Sequence, residues 1–127
     1  MVPSHVLRAQ DGGQTPNEKL NIAFVGGGGR GASNLGGCVK AGENVYAFAD
    51  CDQRRCAGSV RKHPNAQFFS DWRVMLDKIG DKLDCVVVST PDHNHAIVAM
   101  AAMQMGKHVY VEKPLTRTIS EARALME

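Results

Sequence analysis

Aromatic residues are scarce in this chain: four Phe, two Tyr and one Trp among 127 residues. No basic patch is interleaved with them, so base stacking of the kind used on single-stranded nucleic acid has no support. The formal net charge of +2 is too small to mark a nucleic-acid or anionic membrane partner. No apolar run approaches the roughly 20 residues of a membrane-spanning helix. Cysteine is also sparse, and Cys38, Cys51, Cys56 and Cys85 lack the paired spacing of a zinc site, so they read as structural thiols. His93 and His95 form an H-x-H pair with only Asp92 nearby, too few ligands for a metal. Residues 1–19 have no sustained period and collect Pro3, Gly12, Gly13 and Pro16; they read as an extended leader or linker without the apolar centre of a secretion signal.

What is present is ordinary in amount: 43% hydrophobic and 22% charged residues, enough to bury the core of about one domain. From Leu20 onward, strand-like and helix-like segments alternate. Strands are expected at 20–25, 44–49, 67–69, 85–88 and 108–111, and helices at 31–40, 53–62, through 78 after a Ser70 or Asp71 cap, and 95–105. A last helix should begin near Ser120, where Ser120-Glu121-Ala122-Arg123 has no Glu at its fourth place and offers only a Ser cap. Asp92 is expected to cap the 95–105 helix, and Met100, Met103 and Met105 to pack in its core. The run Cys85-Val86-Val87-Val88 has no polar alternation, as suits a central parallel strand covered on both faces. Such alternation implies an α/β, doubly wound parallel (Rossmann) sheet of order 3-2-1-4-5, with 20–127 as its domain. Its ligand should lie across the carboxyl ends of the strands, at the switch between the first and fourth.

That edge collects the suggestive residues. Gly26-Gly27-Gly28-Gly29-Arg30-Gly31 follows the first strand and reads as G-x-G-x-x-G through Gly26, Gly28 and Gly31. Asp50 ends the second strand nineteen residues later. Glycines there let the backbone approach a pyrophosphate, the following helix turns its N–H groups to the charge, and the acid suits ribose hydroxyls. Gly29 adds backbone freedom, and Arg30 could set a cation near a phosphate. The expected cofactor is NAD, because the Asp50 carboxylate repels a 2′-phosphate; Arg54 and Arg55 keep NADP open. Ser89-Thr90-Pro91-Asp92-His93-Asn94-His95 and Glu112-Lys113-Pro114 follow the fourth and fifth strands. Two other readings remain: an S-adenosylmethionine-dependent methyltransferase, which gives no reason for Glu112-Lys113-Pro114, and a nucleotide-binding module without chemistry.

Together, the glycine run, Ala49-Asp50-Cys51-Asp52, Thr90-Pro91-Asp92-His93-Asn94-His95 and the segment Gly106-Lys107-His108-Val109-Tyr110-Val111-Glu112-Lys113-Pro114-Leu115 resemble the glucose-fructose oxidoreductase and inositol dehydrogenase family, Gfo/Idh/MocA. The resemblance runs over 19–127. It implies that the Gly28–Gly31 backbone holds the pyrophosphate and Asp50 the adenosine ribose. Thr90, Pro91 and His95 would line the nicotinamide half, Glu112 would meet its ribose, and Lys113 would face both cofactor and substrate across a cis bond to Pro114. Lys113 is then the expected catalytic group, an ammonium that stabilises a developing alkoxide and relays its proton. Family members continue with a last strand and a second α/β domain holding most of the sugar or polyol pocket, and are homo-oligomers. The sequence given ends at Glu127, ahead of both, so it is expected to bind dinucleotide weakly and turn over little. As it stands it reads as cytoplasmic; 2–7 resembles the end of a twin-arginine export segment, though no arginine pair is present.

Overall fold

The computed structural model describes residues 18–127; the leader expected over 1–19 lies almost wholly outside them. Five parallel strands, β1 (Asn21–Val25), β2 (Asn44–Ala49), β3 (Gln67–Phe69), β4 (Cys85–Val88) and β5 (His108–Val111), form one sheet in the order β3-β2-β1-β4-β5. Helices α1 (Arg30–Lys40), α2 (Gln53–Lys62), α3 (Trp72–Ile79) and α4 (His95–Gln104) make the crossovers, and α5 (Ile119–Met126) follows β5.

Successive strand residues point to opposite faces, and here both faces are apolar. Ile22, Phe24, Phe48 and Val87 face one side with Leu35 of α1 and Val60 of α2. Ala23, Val25, Ala47, Ala49, Val86 and Val88 face the other, against Met75, Leu76 and Ile79 of α3 and Val98 and Ala102 of α4. Phe24 and Phe48 meet with ring centroids 5.8 Å apart, and both are fully buried. The β1–β2 register slips between Ile22 and Ala23, which pair with Val45 and Ala47. That bulge sends Tyr46 to the same side as Ala47, against the α3–α4 layer.

Hydrogen bonding runs one residue beyond four of the strands. Gly26 donates to Ala49 O (2.9 Å), Asp50 to Phe69 O (3.1 Å), Ser89 to Val25 O (2.8 Å) and Glu112 to Val88 O (3.0 Å). The first residues past β2, β1, β4 and β5 are thus pinned in a row along the carboxyl edge. Three inter-strand steps of ~4.8 Å make that rim about 14 Å long.

Three local expectations are corrected. The α5 cap is Thr118, whose hydroxyl accepts from Glu121 N while the Glu121 carboxylate accepts from Thr118 N, so a complete capping box begins two residues earlier than the Ser120 cap expected. Asp92 does not cap α4; it opens a 3-10 turn, Asp92–Asn94, and Asn94 precedes α4 without a side-chain cap bond. Met103 and Met105 are exposed rather than core, because α4 buries Ala96, Val98, Ala99 and Ala102 instead. That run of small residues lets the helix lie close to the sheet.

Candidate active site

The glycine loop turns through two conformations that need glycine. Gly26 has φ +87°, and Gly29, preceding α1, has φ +52°. Gly28 and Gly31 are constrained by space. A Cβ on Gly28 would strike Arg55 O, and one on Gly31 would strike Gly26 O, both of them backbone atoms. The loop is therefore packed backbone against backbone, with Ser59 of α2 buried beneath it and donating to Gly27 O at 2.8 Å. No side chain caps the amino end of α1, whereas Asp52, Asp71 and Thr118 cap α2, α3 and α5. Within that first turn Gly31 N donates to Gly28 O (2.9 Å) and Ala32 N to Gly29 O (3.2 Å), and no side chain competes with an anion at the helix end.

At the β2 end, the Asp50 carboxylate accepts from Gly27 N (3.2 Å) and Asp52 N (3.0 Å), which fixes it beside the loop. Asp52 accepts from Arg54 N and binds the Arg54 guanidinium through Nε and Nη2 at 3.0 and 3.1 Å. Those side-chain bonds hold Asp52 below the ordinary carboxylate value and raise Arg54. Arg54 is thus already paired, while Arg55 lines the cavity with Cys51. That cavity, about 630 Å³, runs from Ser70, Asp71 and Trp72 past Asp50 and the loop to Thr90, Pro91 and Asn94. Among the expected site residues, Gly26, Gly28, Gly29, Arg30, Asp50, Thr90 and Pro91 line it. Gly31, His95, Glu112 and Lys113 do not.

At the β5 end, Glu112 is buried, and its Oε1 accepts from Arg30 Nε (3.0 Å) and Asn34 Nδ2 (2.9 Å). Asn34 first, then Arg30, holds the Glu112 carboxyl below its ordinary value. Arg30, expected near a phosphate, has its Nε on this carboxylate instead, although the side chain remains 70% exposed. Lys113 is exposed at the end of β5 and joined to Pro114 by a cis peptide. His95, expected to line the nicotinamide half, is 1% exposed. Its Nδ1 lies 2.6 Å from Pro114 O and its Nε2 2.7 Å from Thr90 O, so the ring straps the loop after β4 to the loop after β5 from behind. Thr90 Oγ1 is buried with no hydrogen-bond partner among the described residues.

Residues 20–127 match the family model described as oxidoreductase family, NAD-binding Rossmann fold (GFO/IDH/MocA). This chain belongs to that family. Among curated relatives, a glycosyl hydrolase family 109 protein of Solibacter usitatus (strain Ellin6076) is 39% identical over 122 residues, covering 87% of this chain and 28% of its own length. An inositol 2-dehydrogenase of Rubrobacter xylanophilus (strain DSM 9941 / JCM 11954 / NBRC 16129 / PRD-1) is 34% identical over 114 residues, covering 87% of this chain and 32% of its own. Among solved structures, a levoglucosan dehydrogenase in complex with NADH superposes with a TM-score of 0.69 at 31% identity, covering 84% of this chain and 31% of that one. The chain thus spans about 30% of the length of the relatives it matches.

Within this GFO/IDH/MocA domain the residues present suit a dinucleotide. The Gly28 and Gly31 positions leave no room for a side chain, the α1 amides are uncapped, and the Thr90 hydroxyl lacks a partner. Among the described residues no group of three or more His, Cys, Asp or Glu is placed to hold a metal, and no helix is long and apolar enough to cross a membrane. All four cysteines are free thiols. Burial raises Cys38, Cys56 and Cys85 above the ordinary thiol value. Sequence reasoning missed Asn34 and Ser59, and put Ser89 on the edge without a role. Asn34 carried one usable signal: it stands four residues after Arg30, on the same face of α1.

Proposed function

We propose that this chain is the NAD-binding part of an oxidoreductase that acts on a CH–OH group of a sugar or polyol by hydride transfer. The observation that carries the reading is the rim itself: an uncapped helix end and a glycine loop, flanked on one side by Asp50 and on the other by Glu112. The α1 amides would hold the pyrophosphate, and Asp50 the adenosine ribose. Glu112 would meet the nicotinamide ribose, with Thr90 and Pro91 along the cavity wall. When bound, NAD supplies a hydride acceptor.

Lys113, exposed beside Glu112, would sit where a substrate hydroxyl approaches; as the neutral amine it would take up the hydroxyl proton, and the ammonium so formed would stabilise negative charge on the oxygen. The relatives carry dehydrogenase names and a glycosyl hydrolase name, and this chain matches about a third of the length of each. What they share over that third supports cofactor holding as the contribution of these residues, with the substrate pocket supplied by the remainder of a longer protein. NAD is favoured over NADP because the Asp50 carboxylate, fixed beside the loop, would repel a 2′-phosphate; Arg54 is taken up by Asp52, which leaves Arg55 on the cavity wall as the cation such a phosphate would meet. The exposed Tyr110 of β5 and exposed Leu115 and Ile119 beyond it are consistent with further chain or a second copy covering that edge in a homo-oligomer.

Calorimetric titration of the chain with NADH, NADPH and S-adenosylmethionine tests the reading. NADH should bind with NADPH weaker and S-adenosylmethionine silent. Binding of S-adenosylmethionine, or of no nucleotide, would overturn it.

A further inference from the structure

We propose that Asn34 is the positioning residue that holds Glu112 in its working orientation at the switch point, joining α1 to the loops after β4 and β5. The inference rests on the dinucleotide reading of the site. Asn34 lies one helical turn past the glycine loop, half-buried, with its amide between two loops that are 55 and 78 residues away in the chain. An ionised carboxylate only accepts hydrogen bonds, so the amide nitrogen, not the oxygen, must face Glu112. That nitrogen has two hydrogens, and both are spent: one on Glu112 Oε1 at 2.9 Å, the other on Ser89 Oγ at 3.0 Å. The geometry leaves the amide no freedom to flip.

The consequence for Glu112 is asymmetric. Arg30 and Asn34 both donate to Oε1, so Oε2 has no side-chain donor among the described residues. Two donors from different directions hold Oε1 in place, and Oε2, which no side chain reaches, is left to accept from a hydroxyl of the nicotinamide ribose alongside the Lys113 backbone N–H that also bonds this carboxyl. The two tethers differ in kind. Arg30 is a long side chain, 70% exposed, whose hold is weakened by water and salt. Asn34 is short and fixed to the helix backbone, and its bond is the first cause of the lowered Glu112 value. Ser89 accepts the second amide hydrogen and also donates its backbone N–H to Val25 O, so the loop after β4 is registered to the sheet and to Glu112 through the same amide. The charged group acting on Glu112 is Arg30 on α1; Lys113, next in sequence, acts through its backbone N–H, and Tyr110 on β5 acts on Arg30.

The test is a carboxyl ¹³C titration of Glu112 in the nucleotide-free chain, with NADH affinity measured alongside. Asn34→Leu, of similar size without donors, should raise the Glu112 midpoint toward the ordinary carboxylate value and weaken NADH about tenfold. Asn34→Gln, which keeps a donor, should restore part of both. A residue that only filled space would leave the Glu112 midpoint where it was. A midpoint unchanged in Asn34→Leu overturns the proposal, as does a shifted midpoint with NADH affinity unaltered. Should Asn34→Leu not fold, Asn34→Ser, which shortens the side chain below the reach of Glu112, carries the same two expectations. Failure of the unmodified chain to bind NADH would count against the dinucleotide reading itself. A Glu112 titration indifferent to residue 34 counts against Asn34 alone.

Discussion

Replacing Gly31 by Ala adds a single methyl group to α1, and the fold leaves no place for it. The new Cβ would fall onto Gly26 O and lie 3.0 Å from Gly26 C and 3.3 Å from Ser89 Cβ. Two of these three atoms belong to the backbone, so no rotamer change relieves the contact. The helix end must retreat from β1 by about 1.5 Å to regain ordinary carbon–oxygen separation. Overpacking of this kind costs about 1–3 kcal/mol. For a domain of this size each ~1 kcal/mol lowers Tm by about 4 °C. The retreat also carries Arg30 and Asn34 from Glu112, stretching bonds of 3.0 and 2.9 Å toward the limit of hydrogen bonding near ~3.5 Å. NADH affinity should therefore fall by about tenfold or more, beyond what lost stability explains. The same helix contains its own control. At Gly36 and Gly37 a Cβ would meet nothing within 4 Å, and both lie on the exposed face. Gly36→Ala or Gly37→Ala should stabilise by about 0.5–1 kcal/mol through helix propensity and leave NADH binding alone. Thermal denaturation and NADH titration of the three variants read both effects. Equal behaviour of Gly31→Ala and Gly36→Ala would refute the argument that close packing of the loop, rather than helix propensity, fixes glycine at 31.

Three further outcomes are expected. Asp50→Ala removes a carboxylate acceptor for ribose hydroxyls, worth about 1.5–3 kcal/mol, so NADH should weaken by at least tenfold while NADPH changes less, measured as a Kd ratio. Because Asn34 and Arg30 lower the Glu112 carboxyl in the fold, its contribution to stability is complete above the ordinary unfolded-chain value and is lost as pH falls through the folded value. Glu112→Gln should therefore show a shallower loss of Tm on acidification than the unmodified chain, against the same background from Asp52 and Glu121, whose carboxyls are also lowered. His95→Phe keeps the volume of the ring but removes the N–H that bonds one of the two facing carbonyls, Thr90 O or Pro114 O, so chemical denaturation should show a loss of about 1–3 kcal/mol.

The sheet was legible because its strands are short apolar runs bounded by glycine, proline or acidic turns, and parallel pairing demands apolar residues on both faces. Val86-Val87-Val88 shows this most plainly, since neither face can tolerate a polar residue. The glycine run and Asp50 were legible for a related reason: they need residue types that tight turning and charge dictate locally. Asn34 was not, because its partners lie in the loops past β4 and β5, 55 and 78 residues away, and its spacing from Arg30 does not by itself announce them. The place of His95 near the carboxyl edge was legible, yet its burial was not, since the carbonyls that face its ring come from Thr90 and from Pro114, nineteen residues away. The α5 cap was misplaced by two residues because Ser120 and Thr118 are both acceptable caps, and only the reach of Glu121 back to Thr118 N selects between them. Exposure of Met103 and Met105 escaped notice because α4 is apolar nearly all round, so its sequence does not say which side meets the sheet.

The central claim is that a dinucleotide lies along the carboxyl rim of the sheet. Amide chemical-shift mapping of the ¹⁵N-labelled chain with NADH tests it most directly. The account predicts shifts concentrated at Gly26 to Gly31, Asp50, Thr90 and Glu112, with the groove at the opposite edge, bordered by Asn44, His63 and Asn65, unaffected. Shifts confined to that opposite groove, or spread evenly over the surface, would contradict it.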